Sequence, residues 1–186
     1  PEANQDNGSC EYTQQGYDCD GIELSQYQVG DLAEGGIVFY IDETGEHGLI
    51  AADEDLPEMY PWGCSGSVMS GADGLVIGTG LQNTLDIVSG CSEYPTAASM
   101  ALEYDYNGYS DWYLPSFDEL MEMFNTIGNA GPNGNVGSFK DDWYISSSEF
   151  ENNPTNVWIN NFSDTFPNPG GGHKSIPNNV RLIRSF

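Results

Sequence analysis

The chain has 186 residues, with 4 Lys plus Arg against 29 Asp plus Glu and a formal net charge of −25. That charge excludes nucleic acid as a partner, because phosphates would be repelled rather than neutralised, and it disfavours anionic membranes and sulfated glycans for the same reason. Divalent cations are attracted instead, calcium above all, because hard cations prefer oxygen ligands. No apolar run reaches the ~20 residues of a membrane helix, so membrane insertion is not expected.

Residues 1–28 form a Cys/Asp/Asn/Gly-rich arm without helical or strand periodicity. Glu2, Asn4 and Asp6 alternate ahead of Gly8, and Asp18 and Asp20 precede Gly21. Alternating oxygen side chains closing on a Gly resemble the opening of a calcium loop; a solvated string of Asx turns explains the same pattern. The chain starts at Pro1 with neither an initiator Met nor a signal segment, so a processed product or an excised piece is expected. Residues 29–186 read as one globular domain, long enough to bury about 70% of its unfolded surface.

Within that domain, 36–42 is an apolar strand, 43–48 a turn and 49–52 the return strand. Residues 53–78 are loop-rich. Helical patterns follow at 79–88 and 96–104, split by Gly90, Cys91 and Pro95. The clearest helix is 116–127. Ser116 and Glu119 fit a capping box, and Phe117, Leu120, Met121, Phe124 and Ile127 fall on one apolar face. A Gly/Asn/Pro loop spans 128–138, strands are expected at 143–146 and 156–162, a second Gly/Pro loop at 167–172 and a last strand at 179–186. Short strands with interposed helices indicate an α+β fold.

Cys10, Cys19, Cys64 and Cys91 point to disulfides and an oxidising, extracellular compartment. Four cysteines allow three pairings, and locality favours Cys10–Cys19 and Cys64–Cys91. Metal binding by these thiols is disfavoured: no C-x-x-C occurs, and His47 and His173 are expected in Gly-flanked loops.

The order of motifs resembles the DUF1566, or Lcl C-terminal domain, family over about residues 30–186. The matching pieces are Gly35 to Tyr40, His47-Gly48-Leu49, Trp62-Gly63-Cys64, Gly78-Thr79-Gly80, Gly108 to Ser116, Glu119-Leu120, Tyr144 to Glu149, Val157-Trp158 and Val180-Arg181-Leu182-Ile183-Arg184. The version with Cys64 and Cys91 looks like that of Bacteroidetes surface proteins. The first 21 residues resemble part of a Cys-containing repeat of the D-G-S-C type. The resemblance implies a C-type-lectin-like fold, a surface location and an adhesive or glycan-binding role. An adhesin of that family is implied to be oligomeric and to bind glycosaminoglycans; four basic residues provide no cationic patch for such sugars.

The motif residues read mainly as builders of the fold. Asp111 can accept from nearby backbone N–H groups, Trp112 offers a large apolar surface, and Arg181 and Arg184 are expected to be charge-paired. A ligand loop, if present, would take oxygen donors from Glu149, Glu151, Asn152, Asn153 and Asn160 around Pro154 and Trp158. Its composition is reminiscent of calcium-dependent lectins, in a different order. The expected function is therefore a secreted or cell-surface, non-enzymatic module for adhesion or for glycan or protein binding. A second reading is a self-assembling filament subunit whose arm docks on a neighbouring copy. Catalysis, for example by the acidic pairs Asp53/Asp55 or Asp141/Asp142, is the third and least supported reading, since such pairs arise by chance among 29 acids.

Overall fold

The computed structural model describes residues 27–151, 153–163 and 168–186. It is an α+β protein with two antiparallel sheets. The first has the order β1 (Leu32–Ala33), β2 (Gly36–Ile41), β3 (Gly48–Ala52) and β7 (Ile183–Ser185); the second runs β4 (Trp143–Glu149), β5 (Asn156–Asn161), β6 (Gly170–His173). Three helices lie between β3 and β4: α1 (Gly80–Gly90), α2 (Ala97–Leu102) and α3 (Phe117–Thr126).

The expected hairpin is β2–β3, with Gly36 opposite Ala52 and Ile41 opposite Gly48. Alternation of side chains along these strands feeds two cores. Val38, Ile50, Ala52 and Leu182 pack with Trp62, Ile87, Trp112 and Ile145. Ile37, Phe39, Leu49, Ala51 and Ile183 face α3 and the aromatic group Phe139, Tyr144 and Phe162. All five residues of β3 are buried, so this central strand reads as an unbroken small-apolar run instead of alternating.

Helix α3 starts where its capping box sets it. The Ser116 side chain accepts from the Glu119 N–H, and the Glu119 side chain accepts from the Ser116 N–H. Its buried face is Leu120, Met123, Phe124 and Ile127; Met121 and Phe117 are only half-buried. Both sets fit helical spacing, and the contact with both sheets selects the one containing Met123. Glu119 is itself fully buried. Its carboxylate also accepts from the Gly78 N–H at 2.7 Å, and burial raises its pKa against the pull of these donors. A Cβ on Gly80 would come within 2.3 Å of that carboxylate, which is why the helix begins on a glycine.

Three expectations change. The glycine-rich stretch foreseen as loop contains β6, because Gly170 to His173 pair with Ile159 to Asn156 of β5. Glycine is a weak strand former, but a Cβ on Gly172 would meet the end of the Ile159 side chain at 2.6 Å, so a larger residue there would have to displace it. The last strand shortens to Ile183–Ser185, and Asn178 and Asn179 make isolated bridges to Tyr60 and Tyr144. Strand β4 extends to Glu149, three residues beyond its expected end. Tyr27, the first described residue, packs edge-on against Phe186 with ring centroids 5.1 Å apart.

Candidate functional site

The two C-terminal arginines hold the first sheet to its surroundings. Arg181 is 1% exposed and meets Asp55 through Nε at 2.9 Å and Nη2 at 2.8 Å. Its Nη1 donates to the carbonyls of Ala52 and Gly137, and the guanidinium lies 4.1 Å from the centre of the Phe139 ring. Tyr144 donates its hydroxyl to the same Asp55 at 2.9 Å. Arg184 grips Asp111 with two parallel bonds, at 2.8 and 3.0 Å, and reaches Glu34 at 2.9 Å. The Asp111 carboxyl accepts from a backbone N–H, its own, and chiefly from Arg184, which holds it below the usual carboxylate range. Trp112 donates to the Tyr109 carbonyl at 3.0 Å, closing the turn that carries Asp111. Of the acidic pairs, Asp53 accepts from Tyr106, Asp141 from Asn129 and Asp142 from Asn179.

The most unusual chemistry lies beside the second sheet. Lys174 follows β6 and Glu149 ends β4; both side chains are fully buried and in direct contact. The Lys174 ammonium donates to the Ser67 carbonyl at 2.8 Å and sits 4.2 Å above the Trp62 ring. Glu149 Oε1 also accepts from the Met69 N–H at 2.8 Å. Its Oε2 has no hydrogen-bond partner among the described residues, nor has Trp62 Nε1.

The expected ligand loop is dispersed by this arrangement. Glu149 points inward to Lys174. Glu151 is exposed in a left-handed conformation, φ 48°. Asn153 accepts from Thr155 in a local Asx turn. Trp158 is half-buried between Phe117 and Phe150, with ring centroids 4.5 and 4.4 Å away. Asn160 is fully buried, and neither side-chain atom has a partner among the described residues. Asn152 and the arm positions Glu2, Asn4, Asp6, Cys10, Asp18, Cys19 and Asp20 lie outside the described residues.

Cys64 and Cys91 form a disulfide. With Glu93 they make up the one group of metal-type ligands among the described residues, and sulfurs committed to each other cannot also serve as thiolates. Among these residues no helix is long and apolar enough to cross a membrane.

Helix α1 has its amphipathicity reversed. Its inner face presents Asn83 and Thr84 beside Ile87. Asn83 bonds both backbone groups of Gly74 and the Ser147 hydroxyl, and Thr84 bonds Gly80 and Leu114. Its outer face exposes Leu81, Leu85 and Val88, at i, i+4 and i+7, each about two-fifths accessible. Val76, 60% exposed, lies just before it in the chain. A surface helix ordinarily turns such a stripe inward. The apolar spacing of Leu81, Leu85 and Val88 predicts a helix but not which face turns outward; the tertiary partners of Asn83 and Thr84 decide that.

No family model matches the chain, and no curated protein matches it. In fold it is similar to the crystal structure of a fimbrial protein from Bacteroides ovatus ATCC 8483. The TM-score is 0.51 at 15% sequence identity, over 90% of this chain and 47% of that one. At this identity the likeness is one of fold alone, and the chain spans less than half of the fimbrial protein's length.

Proposed function

We propose that this chain is a structural subunit of an extracellular filament, a non-enzymatic domain of the C-type-lectin-like variety of α+β fold. The observation that carries the reading is the likeness of fold to a fimbrial protein over nine-tenths of the chain. The disulfide agrees with an oxidising exterior. The exposed Leu81, Leu85 and Val88 stripe supplies an apolar surface for a neighbouring copy. Repeated head-to-tail contact through different surfaces yields an open fibre.

With a charge of −25, subunits repel at low salt; screening shortens that repulsion to about 8 Å at physiological ionic strength. Assembly should therefore increase with salt. Negative-stain electron microscopy of the purified chain at high concentration tests this, at low and physiological salt, with and without calcium. Filaments that disappear in Leu85→Glu support the reading. Dispersed monomers under every condition would sink it.

Binding of a surface glycan or protein is the second reading. It is favoured by the exposed Tyr94 ring, 66% accessible, since aromatic surface suits sugar stacking. A glycan array with no hits counts against it.

A further inference from the structure

We propose that Lys174 and Glu149 are joined by an intramolecular amide, formed from their own side chains with the loss of one water. The proposal is independent of the filament reading and rests on the hydrogen bonds around the pair.

As an ion pair, the two groups are incompletely served. An ammonium has three N–H donors and a carboxylate two acceptor oxygens. Among the described residues the Lys174 ammonium finds two acceptors, the Ser67 carbonyl and Glu149 Oε1. Among the same residues Glu149 Oε2 finds no donor, although both side chains are wholly excluded from solvent. Burying an ionised oxygen without a partner is among the costlier arrangements in a protein interior.

As an amide, the same surroundings are complete. The product has one N–H and one carbonyl. The N–H has the Ser67 carbonyl at 2.8 Å, and the carbonyl, Oε1, has the Met69 N–H at 2.8 Å. The oxygen lost is Oε2, the atom that has no partner among the described residues.

The reaction balances without an oxidant, reductant or co-reactant. A proton passes from the ammonium to the carboxylate. The freed Nζ lone pair attacks Cδ, and the negative charge gathers on Oε1, where the Met69 N–H receives it. The C–Oε2 bond breaks, and Oε2 leaves as water with the two protons that the nitrogen sheds. One N–C bond forms and one C–O bond breaks.

Positioning supplies the drive. The Glu149 N–H donates to the Ala72 carbonyl at 2.7 Å and the Lys174 N–H to the Thr155 carbonyl at 2.8 Å; the Gly63 N–H holds the Lys174 carbonyl at 3.2 Å. Both reacting side chains thus hang from pinned backbone, the situation in which effective molarities reach roughly 10⁵–10⁸ M. The Trp62 face over Nζ helps keep out the water that would reverse the step.

Intact mass spectrometry of the full chain, after reduction of disulfides, decides the matter. The expected mass is below that of the unmodified sequence by one water, about 18 Da. Chymotryptic digestion, cutting after Phe150 and Trp158, should give a branched pair of peptides containing Glu149 and Lys174. Lys174→Arg keeps a cation but cannot form the amide, and its mass should be the full one. A wild-type chain of full mass overturns the proposal whether or not the variant folds. A deficit that maps elsewhere, such as Asp20-Gly21 or Asp73-Gly74, overturns it as well, as does a deficit that survives Lys174→Arg.

Discussion

The two sheets treat buried polar groups in opposite ways. Around β1-β2-β3-β7, Arg181 has a carboxylate, two carbonyls and an aromatic face, and Arg184 has two carboxylates. Around β4-β5-β6, the polar atoms Glu149 Oε2, Trp62 Nε1, Asn160 Oδ1 and Asn160 Nδ2 are buried without partners among the described residues. The first arrangement consolidates a fold. The second leaves an uneven donor and acceptor count, and such local conflicts are where a protein's special chemistry is found.

The contrast is broken most severely by Arg181→Ala. Asp55 would keep Lys140 Nζ at 3.1 Å and the Tyr144 hydroxyl, but it would lose the buried guanidinium, and the Ala52 and Gly137 carbonyls would lose their donor; the expected loss is about 3–5 kcal/mol in equilibrium denaturation. A loss below about 1 kcal/mol would show that the arginine is not the anchor described. Next comes the double substitution Cys64→Ser with Cys91→Ser. The sequence separation of 27 residues corresponds to a stabilisation on the order of 3 kcal/mol. The Tm should fall accordingly, and the Lys174 pocket should loosen with it, since Trp62 and Gly63 directly precede Cys64. Unchanged hydrogen exchange at Gly63 and Lys174 in that variant would argue against the second effect.

A smaller effect belongs to Arg184 and Asp111. Because Arg184 holds the Asp111 carboxyl below its ordinary range, the pair's contribution is present above the ordinary carboxylate pKa. It is lost as pH falls through the depressed folded value. The Asp111 side chain is 58% exposed, so the contribution is of surface size, about 0.2–1 kcal/mol. Asp111→Asn should remove that part of the acid limb of a stability–pH profile and leave neutral-pH stability lower by the same amount. The smallest effect is expected at Asn160→Leu. Replacing an amide that has no partners among the described residues with an apolar group of similar volume is nearly neutral or stabilising. A loss above about 2 kcal/mol would mean that Asn160 is bonded after all, and would bring the second sheet closer to the first.

Much of the architecture was legible because it is local. The β2–β3 hairpin showed in its two apolar runs around a Gly/Glu turn, α3 in its Ser116–Glu119 capping box, and Cys64–Cys91 in simple proximity along the chain. The charge pairing of Arg181 and Arg184 was expected from two cations on a strand in an acidic protein. Strand β6 was not, because three glycines in a row read as loop until β5 supplies a ladder and Ile159 fills the space where a Cβ would stand. The candidate ligand loop failed to assemble for a related reason. Spacing brought Glu149, Glu151, Asn153, Trp158 and Asn160 together on paper, but the alternation of a strand and the turn at Asn153 point them apart.

From the sequence alone came the Cys64–Cys91 disulfide, the α+β class and most element positions. These depend on net charge, cysteine count and short-range periodicity, which involve residues near one another in the chain. Only the tertiary structure decided that α1 wears its leucines outward and that Lys174 meets Glu149 under Trp62. Those outcomes depend on which face of each element finds a neighbour, and contacts 25 residues or more apart leave no periodic trace in the chain that makes them.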